Sequence, residues 1–231
     1  MIMLLYLLMA MSAVRIIIHF DGRKKSAAKK KKLTGRILAI SDLHYIKDSE
    51  WNILSGYNYD AVIAVVMLGD ISRTRAQSIR KIVPSNVPLL YVLGNHDRWN
   101  EYMGIANTYS LDGKAITVGG IKMTGLSGST RYKPAPELAM RSQKEAKKIT
   151  RQLPAADILV THVSPYHMIS DDEAHEGYKA IDHYISNYVP AYHIFGHHHI
   201  SHAEKYGSTT CICVFRCAEI DLTTGKRRLL F

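Results

Sequence analysis

The chain has 231 residues, 47% of them hydrophobic and 22% charged, with a formal net charge of +10. That length suits one large α/β domain or two small ones, and the apolar content excludes a chain disordered throughout. The only cysteines, Cys211, Cys213 and Cys217, lie near the C-terminus, which excludes a disulfide-framed secreted scaffold, while twelve histidines point toward metal chemistry.

The charge is uneven. Residues 1–35 hold eight Lys or Arg against Asp21, whereas the remaining 196 residues hold 22 basic and 19 acidic side chains. A nucleic-acid footprint on the body is therefore not expected from charge, and no basic stripe is read in it. Residues 1–20 are apolar apart from Arg15 and His19, and the first 14 are uncharged. This is short of the ~20 apolar residues of a spanning helix unless Arg15 is tolerated. A membrane anchor is the favoured reading, ahead of an extra packed helix, an early start codon or a cleaved signal peptide lacking its charged leader. Residues 21–35 form a Lys-rich linker, which would keep the following domain on the cytoplasmic side and near anionic lipid.

From Thr34 onward, short apolar β-rich runs alternate with polar helical stretches. Strands are expected at Arg36–Ile40, Ala61–Leu68, Leu89–Leu93, Ile158–Thr161 and His193–Phe195. These runs lack clean alternation, as strands buried on both faces should. Helices are expected at Thr74–Ile82, Glu137–Gln152 with Pro136 at its start, and Tyr178–Tyr188. Two hairpin regions complete the pattern. The first is Lys114–Val118 with Ile121–Leu126; the second is Thr209–Phe231, with a turn at Thr223–Gly225. One α/β domain with added antiparallel strands is the simplest architecture.

Each of the five buried runs ends in a carboxylate, amide or imidazole. The endings are Ser41-Asp42-Leu43-His44, Gly69-Asp70, Gly94-Asn95-His96-Asp97, His162, and Gly196-His197-His198-His199. In open α/β sheets such endings converge on one crevice at the strands' carboxyl ends. Oxygen and nitrogen donors without thiolate suit Mn²⁺, Fe or Zn²⁺. There are too many donors for one ion and about enough for two.

These blocks resemble the calcineurin-like metallophosphoesterase family, whose pattern runs D-x-H, G-D, G-N-H-D or G-N-H-E, a lone H, and G-H-x-H. All five blocks stand in order between residues 36 and 199. The resemblance implies a four-layer α/β/β/α sandwich over residues 36–231. It also implies two divalent metal ions: Asp42, His44 and His199 on one, Asn95, His162 and His197 on the other, and Asp70 bridging. A water between the ions would be the nucleophile, His96 would face the substrate and protonate the leaving group, and Asp97 would orient His96. The G-D-x-V-D-R-G signature of the phosphoprotein phosphatases is absent, since Gly69-Asp70 is followed by Ile71-Ser72-Arg73-Thr74. The stretch Ala156–Pro165 and Ala174-His175-Glu176-Gly177 looks more like the family's compact branch, whose members often hydrolyse phosphodiesters.

The expected activity is hydrolysis of a phosphodiester or phosphomonoester in a small or nucleotide substrate. A nuclease and a catalytically silent metal-binding scaffold are the alternatives. Intact His96 and a full ligand set favour the enzyme, and the body's modest charge speaks against nucleic acid. Among the remaining histidines, His198 is expected to point away from the ligands and His175 either to lie over the site mouth or to stand on the surface. His167, His183, His193 and His202 are read as surface or satisfied core residues. Buried, apolar cysteines are the expected state of Cys211, Cys213 and Cys217.

Overall fold

The computed structural model describes residues 32–166, 168, 169 and 172–231. The expected anchor at 1–20, residues 21–31 of the linker and His167 lie outside these residues. No helix among the described residues is long and apolar enough to cross a membrane.

Among the described residues, fourteen strands and four helices lie within Leu33–Phe231, one compact unit. In chain order they are β1 (Arg36–Ser41), α1 (Asp48–Ser55), β2 (Val62–Met67), α2 (Arg73–Ile82), β3 (Leu89–Tyr91), β4 (Thr108–Ser110), β5 (Ala115–Val118), β6 (Ile121–Leu126), β7 (Ser129–Thr130) and β8 (Met140–Arg141). There follow α3 (Gln143–Thr150), β9 (Ile158–Thr161), a 3-10 turn (Glu173–His175), α4 (Lys179–Tyr188), β10 (Tyr192–Phe195), β11 (His202–Tyr206), β12 (Thr209–Cys213), β13 (Arg216–Asp221) and β14 (Arg227–Leu229).

Two six-stranded mixed sheets face each other. The first runs β14-β13-β1-β2-β3-β4 and the second β11-β12-β10-β9-β6-β5. β1, β2, β3 and β4 are mutually parallel, as are β6, β9, β10 and β12. Antiparallel strands close the edges: β13 and β14 on the first sheet, β5 and β11 on the second. The apolar residues sort into three layers of contact. Ile37, Ala39, Val66 and Leu90 of the first sheet meet Met123, Val160, Ile194 and Ile212 of the second. The opposite side chains of the first sheet, Leu38, Ile40, Val65 and Met67, meet Leu54 of α1 and Ala76 and Ile79 of α2. Leu159, Phe195, Cys211 and Cys213 meet Ala146 of α3 and Ile181, Tyr184 and Ile185 of α4. The result is the expected α/β/β/α sandwich, and its fully buried aliphatics each contribute about 1.5–3 kcal/mol. All three cysteines are free and buried, and burial pushes the Cys211 and Cys213 thiols up to about 12.

Three sequence expectations need correction. The helix expected from Glu137 begins only at Gln143, because Ser142 and Glu145 form a reciprocal capping box. Ahead of it Met140–Arg141 pairs with Ser129–Thr130, Arg141 is drawn to Asp112 at 2.6 Å, and the Pro136 carbonyl accepts the Trp99 indole N–H. The C-terminal stretch 209–231 is not one hairpin. Thr209–Cys213 lies parallel to β10 in the second sheet, and the chain then crosses to pair Arg216–Asp221 with β1. The turn at Thr223–Gly225 stands, closing β13 onto β14 with Gly225 at φ 73°. Third, the body does carry a basic stripe. Lys144, Lys147, Lys148 and Arg151 are exposed at helical spacing along α3 and its C-cap.

Candidate metal centre

Every predicted donor stands just beyond the carboxyl end of a parallel strand. Asp42 and His44 follow β1, Asp70 follows β2, and Asn95, His96 and Asp97 follow β3 in the first sheet. His162 follows β9, while His197 and His199 follow β10 in the second. To aim donors back across the sandwich the chain must turn sharply. Asp42, Asp70, His197 and His199 all adopt left-handed φ, at 54°, 55°, 72° and 51°. Only three other described non-glycine residues do so, which concentrates backbone strain at this crevice. Two glycines are required by close approach: a Cβ on Gly94 would fall onto the Asp70 carboxylate, and one on Gly196 onto the Ser41 hydroxyl and Asp42.

The floor of the crevice is buried. Ligand atoms of Asp42, Asp70 and His162 lie within 4.8 Å of one another. The His162 ring donates Nδ1–H to the Leu68 carbonyl at 2.7 Å, leaving Nε2 3.0 Å from Asn95 Oδ1 and 3.5 Å from Asp70 Oδ2. His197 donates Nε2–H to the Ala174 carbonyl at 2.8 Å, which leaves Nδ1 as its lone-pair nitrogen. Asp42 Oδ2 accepts from Ser41 at 2.5 Å and from the His197 amide at 2.9 Å. Asp42 Oδ1 is buried with no hydrogen-bond partner, and His199 Nε2 stands 3.4 Å away.

The buried carboxylates and imidazoles offset one another's charge. Burial would raise the Asp42 and Asp70 carboxyls, yet imidazole neighbours hold both below the ordinary range. Burial would likewise neutralise His162, but the Asp70 charge overrides it and lifts that imidazole to about 9. His197 lacks such support, and burial pushes it down to about 3.

The rim is exposed. His44 and His199 join Asp42 in a second group within 4.8 Å, and His44, Asp70 and His96 form a third. The His44 ring stands edge-on to His96 at 5.2 Å and to His199 at 5.5 Å. His197 falls in none of these groups, although its ring lies 4.8 Å from that of His162. His175 does lie at this edge, its ring 4.8 Å from His197 and its Nδ1 2.8 Å from Asp172. His198 packs edge-on against Phe195 and belongs to none of the three donor groups. His193 is core, its Nε2 on Thr161 Oγ1 at 2.7 Å.

Asp97 differs from its expected part. Its Oδ2 accepts the amides of Asp70 and Gly94, both at 2.8 Å, and the Tyr102 hydroxyl at 3.1 Å. It ties the β2 and β3 endings together, and its hydrogen bonds do not run to the His96 imidazole. Its carboxyl is pushed up to about 7 by burial and by the Asp70 charge. His96 is instead placed through its backbone, whose N–H donates to Asp70 Oδ1 at 2.8 Å.

Sequence reasoning missed Tyr102, which also donates to the Ile71 carbonyl, and Tyr132, whose hydroxyl accepts from Asn95 Nδ2 at 3.2 Å. Neither tyrosine has a motif spacing that could have signalled it. Arg131 is engaged with Glu145 at 3.1 Å.

Buried carboxylates, an unpartnered carboxylate oxygen and imidazoles with assigned tautomers suit divalent cations bound by oxygen and nitrogen. Such donors gathered at the strand ends of an α/β/β/α sandwich make this crevice the candidate metal centre. The calcineurin-like phosphoesterase superfamily domain matches residues 36–214. The chain belongs to this family. Solved structures agree in fold. TT1561 of Thermus thermophilus aligns with TM-score 0.63 at 16% identity, covering 86% of this chain and 100% of that one. The phosphopantetheinyl hydrolase of Mycobacterium tuberculosis aligns with TM-score 0.53 at 12% identity, covering 80% and 91%. Comparison with curated protein sequences finds no match.

Proposed function

We propose that this chain hydrolyses phosphodiester or phosphomonoester bonds of a small or nucleotide substrate, using two divalent metal ions. The supporting observation is the convergence of Asp42, His44 and His199 with Asp70, His162 and His96 in overlapping groups at the ends of five strands. In this reading Asp42, His44 and His199 hold one cation, Asn95, His162 and His197 hold the other, and Asp70 bridges. When bound, two such cations lower the pKa of a water and neutralise charge on the phosphoryl oxygens.

The residues do the rest. The Leu68 and Ala174 carbonyls fix which nitrogens of His162 and His197 remain as donors. Tyr132 holds the Asn95 amide by its nitrogen, so that its oxygen faces His162. His96, exposed beside His44 and anchored through its amide, presents an imidazole that can deliver a proton to the leaving oxygen. Asp97 and Tyr102 keep the Asp70 and Gly94 turns in register.

The test uses full-length protein stripped of metal and reloaded with Mn²⁺, its metal content measured alongside turnover of an aryl phosphodiester and an aryl phosphomonoester. Two ions per chain and metal-dependent turnover that is lost in Asp70→Asn support the proposal. A folded protein that binds no metal overturns it. Sequence alone motivates a cytoplasmic domain tethered through residues 1–20; full-length protein remaining in the supernatant of a high-speed spin would refute the tether.

A further inference from the structure

The charge of the folded body is concentrated in one place. Residues 131–152 hold seven Lys or Arg against Glu137 and Glu145, a net of +5, whereas the rest of 36–231 holds fifteen basic and seventeen acidic side chains. Glu145 is paired with Arg131. Lys144, Lys147, Lys148 and Arg151 make no ion pair among the described residues, and all four are exposed. Their positions, at intervals of three and four, set them along one face of α3 over about 10 Å.

This face borders a cavity. Between α3 and α4 lies a recess of about 290 Å³ lined by Lys147, Thr150, Arg151, His183, Asn187 and Tyr188, with no acidic side chain in its lining. The acidic residue of α4, Asp182, is engaged by the Tyr166 amide at 2.9 Å and the Tyr206 hydroxyl at 2.7 Å. Tyr188 is 43% exposed, and its ring is held 4.8 Å from that of Tyr184. A second depression along α3 also has Lys147 and Arg151 in its lining.

We propose that the α3–α4 face is a second site, separate from the metal centre, that binds a single strand of nucleic acid. The α3 cations follow the phosphate backbone, and the recess receives one nucleotide against Tyr188. A row of cations beside an exposed aromatic ring is how sequence-tolerant strand binding is built. A lipid surface needs no recess with amide, hydroxyl and imidazole donors, and this recess has all three. The first residue of α3 touches a segment beside the centre. Gln143, at the start of α3, bonds the Gly177 carbonyl at 2.9 Å, three residues from the Ala174 carbonyl that holds His197.

The test is anisotropy of a short fluorescein-labelled oligodeoxythymidine titrated with full-length protein in EDTA, so that binding is read without turnover. Failure of the phosphoesterase proposal therefore leaves the result intact. The Lys-rich segment before residue 33 is common to every variant and cancels. The double variant Lys147→Gln/Arg151→Gln should weaken binding about tenfold and reduce the salt slope by about 1.4. Tyr188→Ala should weaken it about fivefold with the salt slope unchanged, since stacking carries no charge. The control Lys205→Gln/Lys226→Gln removes the same charge from other surfaces and should change affinity less than about twofold. Circular dichroism confirms that each variant is folded.

Equal losses in the two double variants would reduce the effect to net charge and overturn the site. So would unchanged binding in both Lys147→Gln/Arg151→Gln and Tyr188→Ala. Sedimentation with phosphatidylserine vesicles that depends on Lys147 and Arg151, without a matching loss of oligonucleotide binding, would assign the face to lipid and overturn the strand.

Discussion

The floor and the rim of the metal centre are built from the same residue types but under opposite conditions. Asp42, Asp70, Asn95, His162 and His197 are at most 5% exposed, and every one has a named hydrogen-bond partner in the fold. His44, His96 and His199 are exposed, and the His44 and His96 rings meet other imidazoles edge-on. Burial makes the floor electrostatically strong: an uncompensated carboxylate there is costly, so its charges are matched by imidazoles and amides. Solvent makes the rim adaptable, as a surface that must admit a phosphoester needs to be. The difference teaches that removing a floor residue should abolish the centre, whereas removing His96, the rim residue that is not a proposed ligand, should alter its chemistry.

The largest break in that comparison is Asp70→Ala. It should lower kcat/KM for an aryl phosphodiester by at least about 10³ and reduce bound metal below two ions per chain, by kinetics and metal analysis. A rim substitution should act selectively. His96→Ala should cost about 10²–10³ in kcat for an alkyl leaving group, much less for nitrophenolate, and leave metal content unchanged. Equal losses for both leaving groups would sink the acid assignment.

Below these come changes to the scaffold of the floor. Gly94→Ala drives a methyl group into the Asp70 carboxylate and should destabilise the fold by about 2–3 kcal/mol, read by urea unfolding. Tyr102→Phe removes the hydroxyl shared by Asp97 and the Ile71 carbonyl, for about 1 kcal/mol and a few-fold loss of turnover.

The smallest effect lies outside the centre and sharpens the contrast. Glu219 is partly desolvated, which would raise its pKa, but the Tyr57 hydroxyl and the Arg228 and Arg36 guanidinium groups hold it below the ordinary value. A depressed carboxyl stabilises the fold above its unfolded pKa, and this contribution fades as pH falls through the folded one. Glu219→Gln should therefore lower Tm at neutral pH, for less than about 1 kcal/mol, with the gap to the parent closing toward pH 3.

Much of this arrangement was legible in the chain itself. Five apolar runs each followed by an Asp, Asn or His identify the strand ends, because a strand buried on both faces must be apolar and a ligand must sit where it stops. Glycines before Asp70, Asn95 and His197 announce close backbone approach. Pro136 and the polar run after it look helical, yet the Ser142-Gln143-Lys144-Glu145 capping box, a local signal, is what starts α3, while Arg141 just before it is held by Asp112. The division of 209–231 between two sheets was hidden because β12 and β13 are equally β-like, and only the partner strand decides which sheet each joins. Chain order pairs Asp97 with its neighbour His96, but its carboxylate reaches the amide of Asp70, 27 residues away.

By itself, then, the sequence determined the order and chemistry of the donors, since residue type and strand-end position are local properties. Tertiary structure alone decided which donors lie on the floor, which carbonyls select their nitrogens, and that the α3 cations border a recess with Tyr188. Those are relations between segments distant along the chain, created only when two sheets pack face to face and the helices close over them.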